Sequence, residues 1–225
     1  MVAKMSVAPQ PSEQQFVPTA VFVSGSGTNL QALIDAARNG TLPLDIKLVV
    51  SNKPSAFALE RAERAGIPTA VMEFDKRTED RATYAKRLAS VVHDSGAQLV
   101  LLLGWMHVLA PEFLEAGFEG IFNLHPAYLP EDPSADTVTF PDGTQTRVFR
   151  GAHAVRDALA AKVPWTGASL IEITHAVDRG PLLARKHIQL FPHEDEAAAV
   201  ERLHTIEREV VRSGLERWLE RRSRT

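Results

Sequence analysis

The chain has 225 residues, enough for one domain with some decoration. Its 44% hydrophobic and 24% charged content excludes disorder as the dominant state. Lys and Arg number 25 against 28 Asp and Glu, a formal charge of −3 that leaves no chain-wide footprint for nucleic acid, and cysteine is absent, which excludes disulfides, thiolate metal sites and a cysteine nucleophile. The missing cysteines also fit a reducing compartment.

Residues 1–19, MVAKMSVAPQPSEQQFVPT, mix Pro, Gln and Ser and contain no apolar run of signal-peptide or membrane-span length. They read as a mobile leader of a cytoplasmic protein with no membrane partner. From Ala20 the chain alternates. AVFVS is strand-like, and NLQALIDAARNG is helical with apolar positions at Leu30, Leu33, Ile34 and Ala37, stopped by Asn39-Gly40. There follow the strand DIKLVVS, a helix at FALERAERAG, the short strand TAVM and a helix over 78–95. LVLLLG, IFNLH, ASLIEIT and LLARKHIQL are further strands, with helices near 111–117, 152–160 and 194–220. Strand followed by helix, repeated, predicts an α/β fold: a single doubly wound, mostly parallel sheet over 20–222 with helices on both faces. Residues 131–149 break the rhythm, because TVTF and TQTRV alternate around Pro-Asp-Gly and predict a small inserted hairpin. The last helix puts Val200, Leu203, Ile206, Val210, Leu215 and Trp218 on one face, as an amphipathic helix on the sheet does.

Three places carry residue types suited to chemistry. Ser24-Gly25-Ser26-Gly27-Thr28-Asn29 follows the first strand and opens the first helix, where free N–H groups and the helix dipole suit a phosphate. The same residues also suit a plain capped turn. The loop lacks the Gly-Lys-Ser/Thr of a nucleoside triphosphate site, and no acid ends the second strand, which disfavours a dinucleotide. Asn123 and His125, two apart in IFNLH, project from one face at a strand's carboxyl end, where open sheets bind ligands. Asp178 in HAVDRGP is either a turn former or a carboxylate partner for them. Carboxylate, imidazole and carboxamide, with a phosphate-type loop in the same sheet, suit transfer of an acyl-like group to a phosphorylated acceptor.

With VFVSGSGTNLQALIDA, SNKPSAFALERAERAGI, LLLGWMHVLAPEFL, FNLHPAYLP and GASLIEITHAVDRGPLL, the chain resembles the folate-dependent formyltransferases from about Ala20 to Trp218. Asn-x-His-Pro with a later Asp-x-Gly-Pro carries the resemblance, and Ser-Gly-x-Gly-Thr-Asn-Leu points to the glycinamide ribonucleotide branch. The resemblance implies transfer of a formyl group from 10-formyltetrahydrofolate to the amine of glycinamide ribonucleotide in purine synthesis. It implies two small-molecule substrates, no metal, no ATP, and a monomer or homodimer. Asn123, His125 and Asp178 match the catalytic trio, and Gly27, Thr28, Asn29 and Glu207 match acceptor-binding positions. Met106, His107, Val108 and Leu109 match one wall of the folate pocket, Thr174, His175, Ala176 and Val177 the other, and Arg81 a position linked to the formyl donor. Met106, Val108 and Leu109 also fit ordinary core, and Glu207 an ordinary helix charge.

Departures touch acceptor choice. His107 stands where many relatives have Arg, Ile171 where a second His is frequent, and Glu131 where Lys often follows Leu-Pro. The 131–149 segment is longer than the usual connection. A sugar-nucleotide N-formyltransferase is therefore an alternative, and so is a non-catalytic nucleotide-binding module, although the latter expects a broken trio. Methionyl-tRNA formyltransferases carry a further C-terminal domain and formyltetrahydrofolate deformylases an N-terminal regulatory one, and the sequence on either side of the core is expected to hold neither.

Overall fold

The computed structural model describes residues 16–224. The first strand, β1, runs Val17–Val23 and is buried on both faces. Val17, Val21 and Val23 enter one apolar layer, while Ala20 and Phe22 enter the other. This is the side-chain alternation of a central parallel strand. The strand starts inside the segment expected as a leader. Pro18, in a segment mixing Pro, Gln and Ser, hid it, because Pro reads as a strand breaker. Instead the Pro18 carbonyl accepts from the Gln98 N–H at 2.8 Å, and the buried Thr19 hydroxyl donates to the Val17 carbonyl at 2.9 Å. The remainder of the expected leader, residues 1–15, lies outside the described residues.

In chain order there follow α1 (Thr28–Arg38), β2 (Leu44–Ser51), α2 (Phe57–Arg64), β3 (Thr69–Val71) and α3 (Arg81–Asp94). Next come β4 (Leu99–Leu102), α4 (Pro111–Leu114) and β5 (Gly120–His125). The inserted β6 (Thr137–Thr139) and β7 (Gln145–Arg147) precede α5 (Ala154–Ala160), β8 (Trp165–Glu172), β9 (Leu182–Gln189) and α6 (Glu196–Arg222). The predicted helix over 78–95 begins only at Arg81. Its N-cap is Asp80, whose carboxylate accepts the Thr83 N–H at 2.7 Å and satisfies an end donor.

The main sheet has the order β3-β2-β1-β4-β5-β8-β9. Its first five strands run parallel, and β8 and β9 pair antiparallel at one side. The layer holding Leu30, Leu33 and Ile34 of α1 also holds Leu203, Val210 and Leu215 of α6. The opposite layer is built on Tyr84, Leu88 and Val92 of α3 with Phe113 of α4. Helix α6 lies close on the sheet because it carries Gly214, where a Cβ would sit 2.6 Å from Leu170 Cδ2. Of its predicted apolar face, Val200 and Trp218 are partly buried at the margin of the core.

The hairpin turns at Pro141-Asp142-Gly143, with the Phe140 N–H donating to the Thr144 carbonyl at 2.8 Å and Gly143 at φ +88°. Phe140 stacks on Tyr128 at 4.8 Å, and Trp165 Nε1 donates to Asp142 at 2.7 Å, which fastens the tip to the main sheet.

Leu170 is fully buried beneath α6. Leu170→Ala is expected to remove about 2–5 kcal/mol of stability through lost burial and a residual cavity. Urea unfolding checks this, and a loss well under 1 kcal/mol would show that α6 does not depend on that contact.

Candidate active site

Asn123 and His125 share a face of β5 near its carboxyl end. Across the antiparallel pair, Asn123 lies beside Ile171 and His125 beside Ser169. The departure at Ile171 therefore puts an aliphatic side chain next to the carboxamide. His125 is 3% exposed and has two fixed neighbours. Its Nε2 lies 3.0 Å from the Phe149 carbonyl, and its Nδ1 lies 3.5 Å from Asp178 Oδ1. Both neighbours are acceptors. Only the doubly protonated imidazolium can offer an N–H to each.

The loop between β8 and β9 returns Asp178 to this point. Gly180 allows the path, because a Cβ there would meet the Glu172 carbonyl oxygen at 1.6 Å. Asp178 itself is left-handed, with φ +52°. A non-glycine residue held there stores roughly 1–3 kcal/mol of strain, so its surroundings must hold it in place. They do so through the Gly151 N–H, which donates to Asp178 Oδ2 at 2.8 Å, and Arg150 Nε, which donates to the Asp178 carbonyl at 3.2 Å.

These groups open onto one cavity of ≈ 280 Å³. It flanks the point where sheet order reverses between β1 and β4, the usual ligand crevice of an open α/β sheet. One wall is the chain leaving β4, with Met106, His107, Val108 and Leu109, and another is the 173–181 loop, with Thr174, His175 and Val177. Leu109 belongs to the core at 8% exposed, but Met106, Val108 and Val177 are 53%, 64% and 51% exposed and form an apolar rim. Core packing accounts for Leu109 alone. Trp105 Nε1 and His107 Nδ1 are buried in this region without a hydrogen-bond partner among the described residues. His107 Nε2 accepts from Asn52 Nδ2 at 3.0 Å, and burial first, then the Arg81 and Lys53 charges, holds the ring below the usual imidazole range.

A further wall carries Asn29, His204 and Glu207. Asn29 Nδ2 donates to Glu207 Oε2 at 2.7 Å, while Asn29 Oδ1 has no partner among the described residues. Glu207 is 6% exposed, which is not an ordinary solvated helix charge. Gly27 caps α1 at φ +71°, and a Cβ there would lie 2.6 Å from Ala58 Cβ, so the turn requires glycine on both counts. Four expected residues do not line the cavity: Gly27, Thr28, Arg81 and Ala176. Gly27 and Thr28 form the start of the helix that presents Asn29. Arg81 stacks over Phe74 at 4.4 Å, and the Ala176 carbonyl accepts the Thr174 hydroxyl at 3.2 Å. Sequence reasoning missed His204, three residues before Glu207 on α6, and the segment 149–151. The i,i+3 spacing to a buried acid could have found His204. Among the described residues no group of three or more His, Asp or Glu could hold a metal ion, and no helix is long and apolar enough to cross a membrane.

A family profile described as Formyl transferase matches residues 18–215. The chain is 34% identical over 206 residues to the phosphoribosylglycinamide formyltransferase of Schizosaccharomyces pombe, covering 85% of this chain and 91% of that one. It is 32% identical over 190 residues to the trifunctional purine biosynthetic protein adenosine-3 of Drosophila melanogaster, covering 84% of this chain but spanning only 13% of that protein's length. Among solved structures it resembles glycinamide ribonucleotide transformylase 1 from Geobacillus kaustophilus, with a TM-score of 0.76 and 31% identity, covering 91% of this chain and 99% of that one.

Burial pushes the Glu207 carboxyl above its ordinary 4.5, against the opposing pulls of the Asn29 hydrogen bond and the His204 and Arg208 charges. The folded state then keeps this proton to higher pH than the unfolded state does, so stability falls as pH rises from 4.5 through the raised value. Glu207→Gln keeps an acceptor for Asn29 and removes this slope. Urea midpoints are expected to show the variant more stable than the parent at about pH 8 and no more stable at about pH 4. Equal midpoints at both would contradict the burial effect.

Proposed function

Because this chain belongs to the formyl transferase family, we propose that it moves a formyl group from 10-formyltetrahydrofolate to the amine of glycinamide ribonucleotide, a step of purine biosynthesis. The observation that carries this reading is that Asn123, His125 and Asp178 share one cavity with Asn29 and Glu207. The apolar rim of Met106, Val108 and Val177, with the unpartnered Trp105 and His107 nitrogens behind it, fits a flat heteroaromatic donor carrying polar edges. The wall of Asn29, His204 and Glu207 suits the acceptor: Asn29 stands in the first turn of α1, a helix start that favours a phosphate beside it, and Glu207 suits an amine.

The formyl donor brings an activated one-carbon carbonyl group. The acceptor's neutral amine forms the new C–N bond to that carbon, and the bond to the folate nitrogen breaks. During this exchange the formyl oxygen gathers negative charge. Asn123 offers its amide N–H from the cavity wall. His125 contributes positive charge, but not as a freely pointing donor, because its Nε2 is engaged by the Phe149 carbonyl. Its Nδ1–H is only loosely held by Asp178 at 3.5 Å and is the one available to turn toward the oxygen. A preorganised donor of this kind is worth on the order of 10²–10³ in rate. Asp178, its other oxygen fixed by the Gly151 N–H, can orient a water that carries the proton from the attacking to the departing nitrogen, worth about 10²–10⁴.

His125→Ala and Asp178→Asn, verified as folded, are each expected to lower kcat by about 10²–10³-fold. Steady-state release of folate product from 10-formyltetrahydrofolate and glycinamide ribonucleotide checks this, and near-parental rates would remove these residues from the mechanism. Asn29→Ala is expected to weaken acceptor binding by about tenfold and donor binding little, as separate titrations of each ligand would show. The same assay with an amino-sugar nucleotide as acceptor decides between the two acceptor classes. Turnover on the sugar nucleotide alone would overturn the choice of glycinamide ribonucleotide.

A further inference from the structure

We infer that Arg150 is a positioning residue for the His125–Asp178 pair, seated on the root of the inserted hairpin. Three consecutive residues touch that pair. The Phe149 carbonyl meets His125 Nε2, Arg150 Nε donates to the Asp178 carbonyl, and the Gly151 N–H donates to the Asp178 carboxylate. The two outer contacts come from peptide groups on either side of Arg150, so whatever fixes Arg150 fixes both. Its guanidinium is held in turn by residues 133–136. Nη2 donates to the Ala135 carbonyl at 2.7 Å and reaches the Pro133 carbonyl at 3.5 Å, and Nη1 donates to Asp136 at 3.1 Å.

Arg179, the residue after Asp178, uses the same seat. Its Nη1 donates to the Pro133 and Ser134 carbonyls at 3.1 and 3.0 Å, and its Nη2 pairs with Asp136. The left-handed Asp178 is thus gripped at its own carbonyl and through its neighbour, from one short stretch of chain. That stretch is the start of the insertion. It is closed by the Val148 N–H donating to the Asp136 carbonyl at 2.9 Å, immediately before Phe149, and the hairpin beyond it is pinned to Tyr128 and Trp165. The insertion therefore stands behind the catalytic pair as a brace. A planar guanidinium can donate to the Asp178 carbonyl and to the seat at once. A lysine ammonium at the end of its stem can serve one of them well.

The activity arm rests on the formyl-transfer reading, and a second arm does not. In the full chain, Arg150→Ala is expected to lower kcat by about 10–100-fold, the scale of misplacement by about an ångström, with KM for both substrates within about threefold of the parent. Arg150→Lys is expected to recover part of that loss. Asp136→Ala should lower kcat by about 3–10-fold, and combining it with Arg150→Ala should cost less than the two losses multiplied, because Asp136 acts partly through Arg150 and partly through Arg179. The ¹⁵N resonances of the His125 imidazole, followed through a pH titration without substrate, are expected to shift in Arg150→Ala. Parental kcat and parental His125 resonances in a folded Arg150→Ala overturn the inference. If Arg150→Ala fails to fold, the exposed Asp136 carries the same pair of measurements, with the same outcome overturning it. If the parent chain transfers no formyl group, the functional reading fails by itself, and the His125 resonances alone decide the role of Arg150.

Discussion

His125 sits between a backbone carbonyl on one nitrogen and a carboxylate on the other, and the site is organised by what that arrangement requires. The ring is nearly buried, so the protein itself, rather than solvent, supplies the polar neighbours of both its nitrogens. The carboxylate must come from a loop after β8, and the carbonyl from the end of an insertion more than twenty residues beyond β5. Neither segment is near His125 in sequence. The sheet brings them together by pairing β8 antiparallel to β5, with Ser169 opposite His125.

Close backbone approaches give the scaffold its precision. Gly27 lets the start of α1 touch Ala58 of α2, Gly180 lets the Asp178 loop pass against the Glu172 carbonyl, and Gly214 lets α6 settle on Leu170. Each sets the position of a functional element: Asn29 on α1, Asp178 on its loop, and Glu207 on α6. The Asn29–Glu207 hydrogen bond then ties the first and last helices together at the cavity. A side chain that serves the ligand wall thus also joins two ends of the chain within one layer.

Much of this was legible in the sequence, and the exceptions have physical causes. Alternating apolar runs and helical periods give the order of elements, because a sheet covered on both faces needs them. The start of β1 was hidden, since Pro18 reads as a strand breaker at the end of a segment mixing Pro, Gln and Ser. α3 was read about a turn too long because residue pattern alone does not show that Asp80 caps the helix by accepting the Thr83 N–H. Asn123, His125 and Asp178 stood out because their side chains carry the chemistry. Arg150, Asp136 and Arg179 did not, as one acid and two arginines near a hairpin look like solvated charge until the carbonyls of 133–135 are seen to converge on them. Arg81, read from the resemblance, sits behind His107 and modulates it by charge while lining no part of the cavity.

The grip of Phe149 and Gly151 on the catalytic pair is made by peptide atoms: a carbonyl, which every residue possesses, and an N–H, which every residue but proline possesses. Both positions are nonetheless constrained, Phe149 because its side chain packs in the core and Gly151 because it holds φ +83°, a backbone conformation that favours glycine. Neither residue type, read by itself, discloses that the backbone beside it meets the catalytic pair. What such a segment must conserve is its path through space, and in this chain that path is secured from a distance, by an arginine whose own partners are again mostly backbone oxygens.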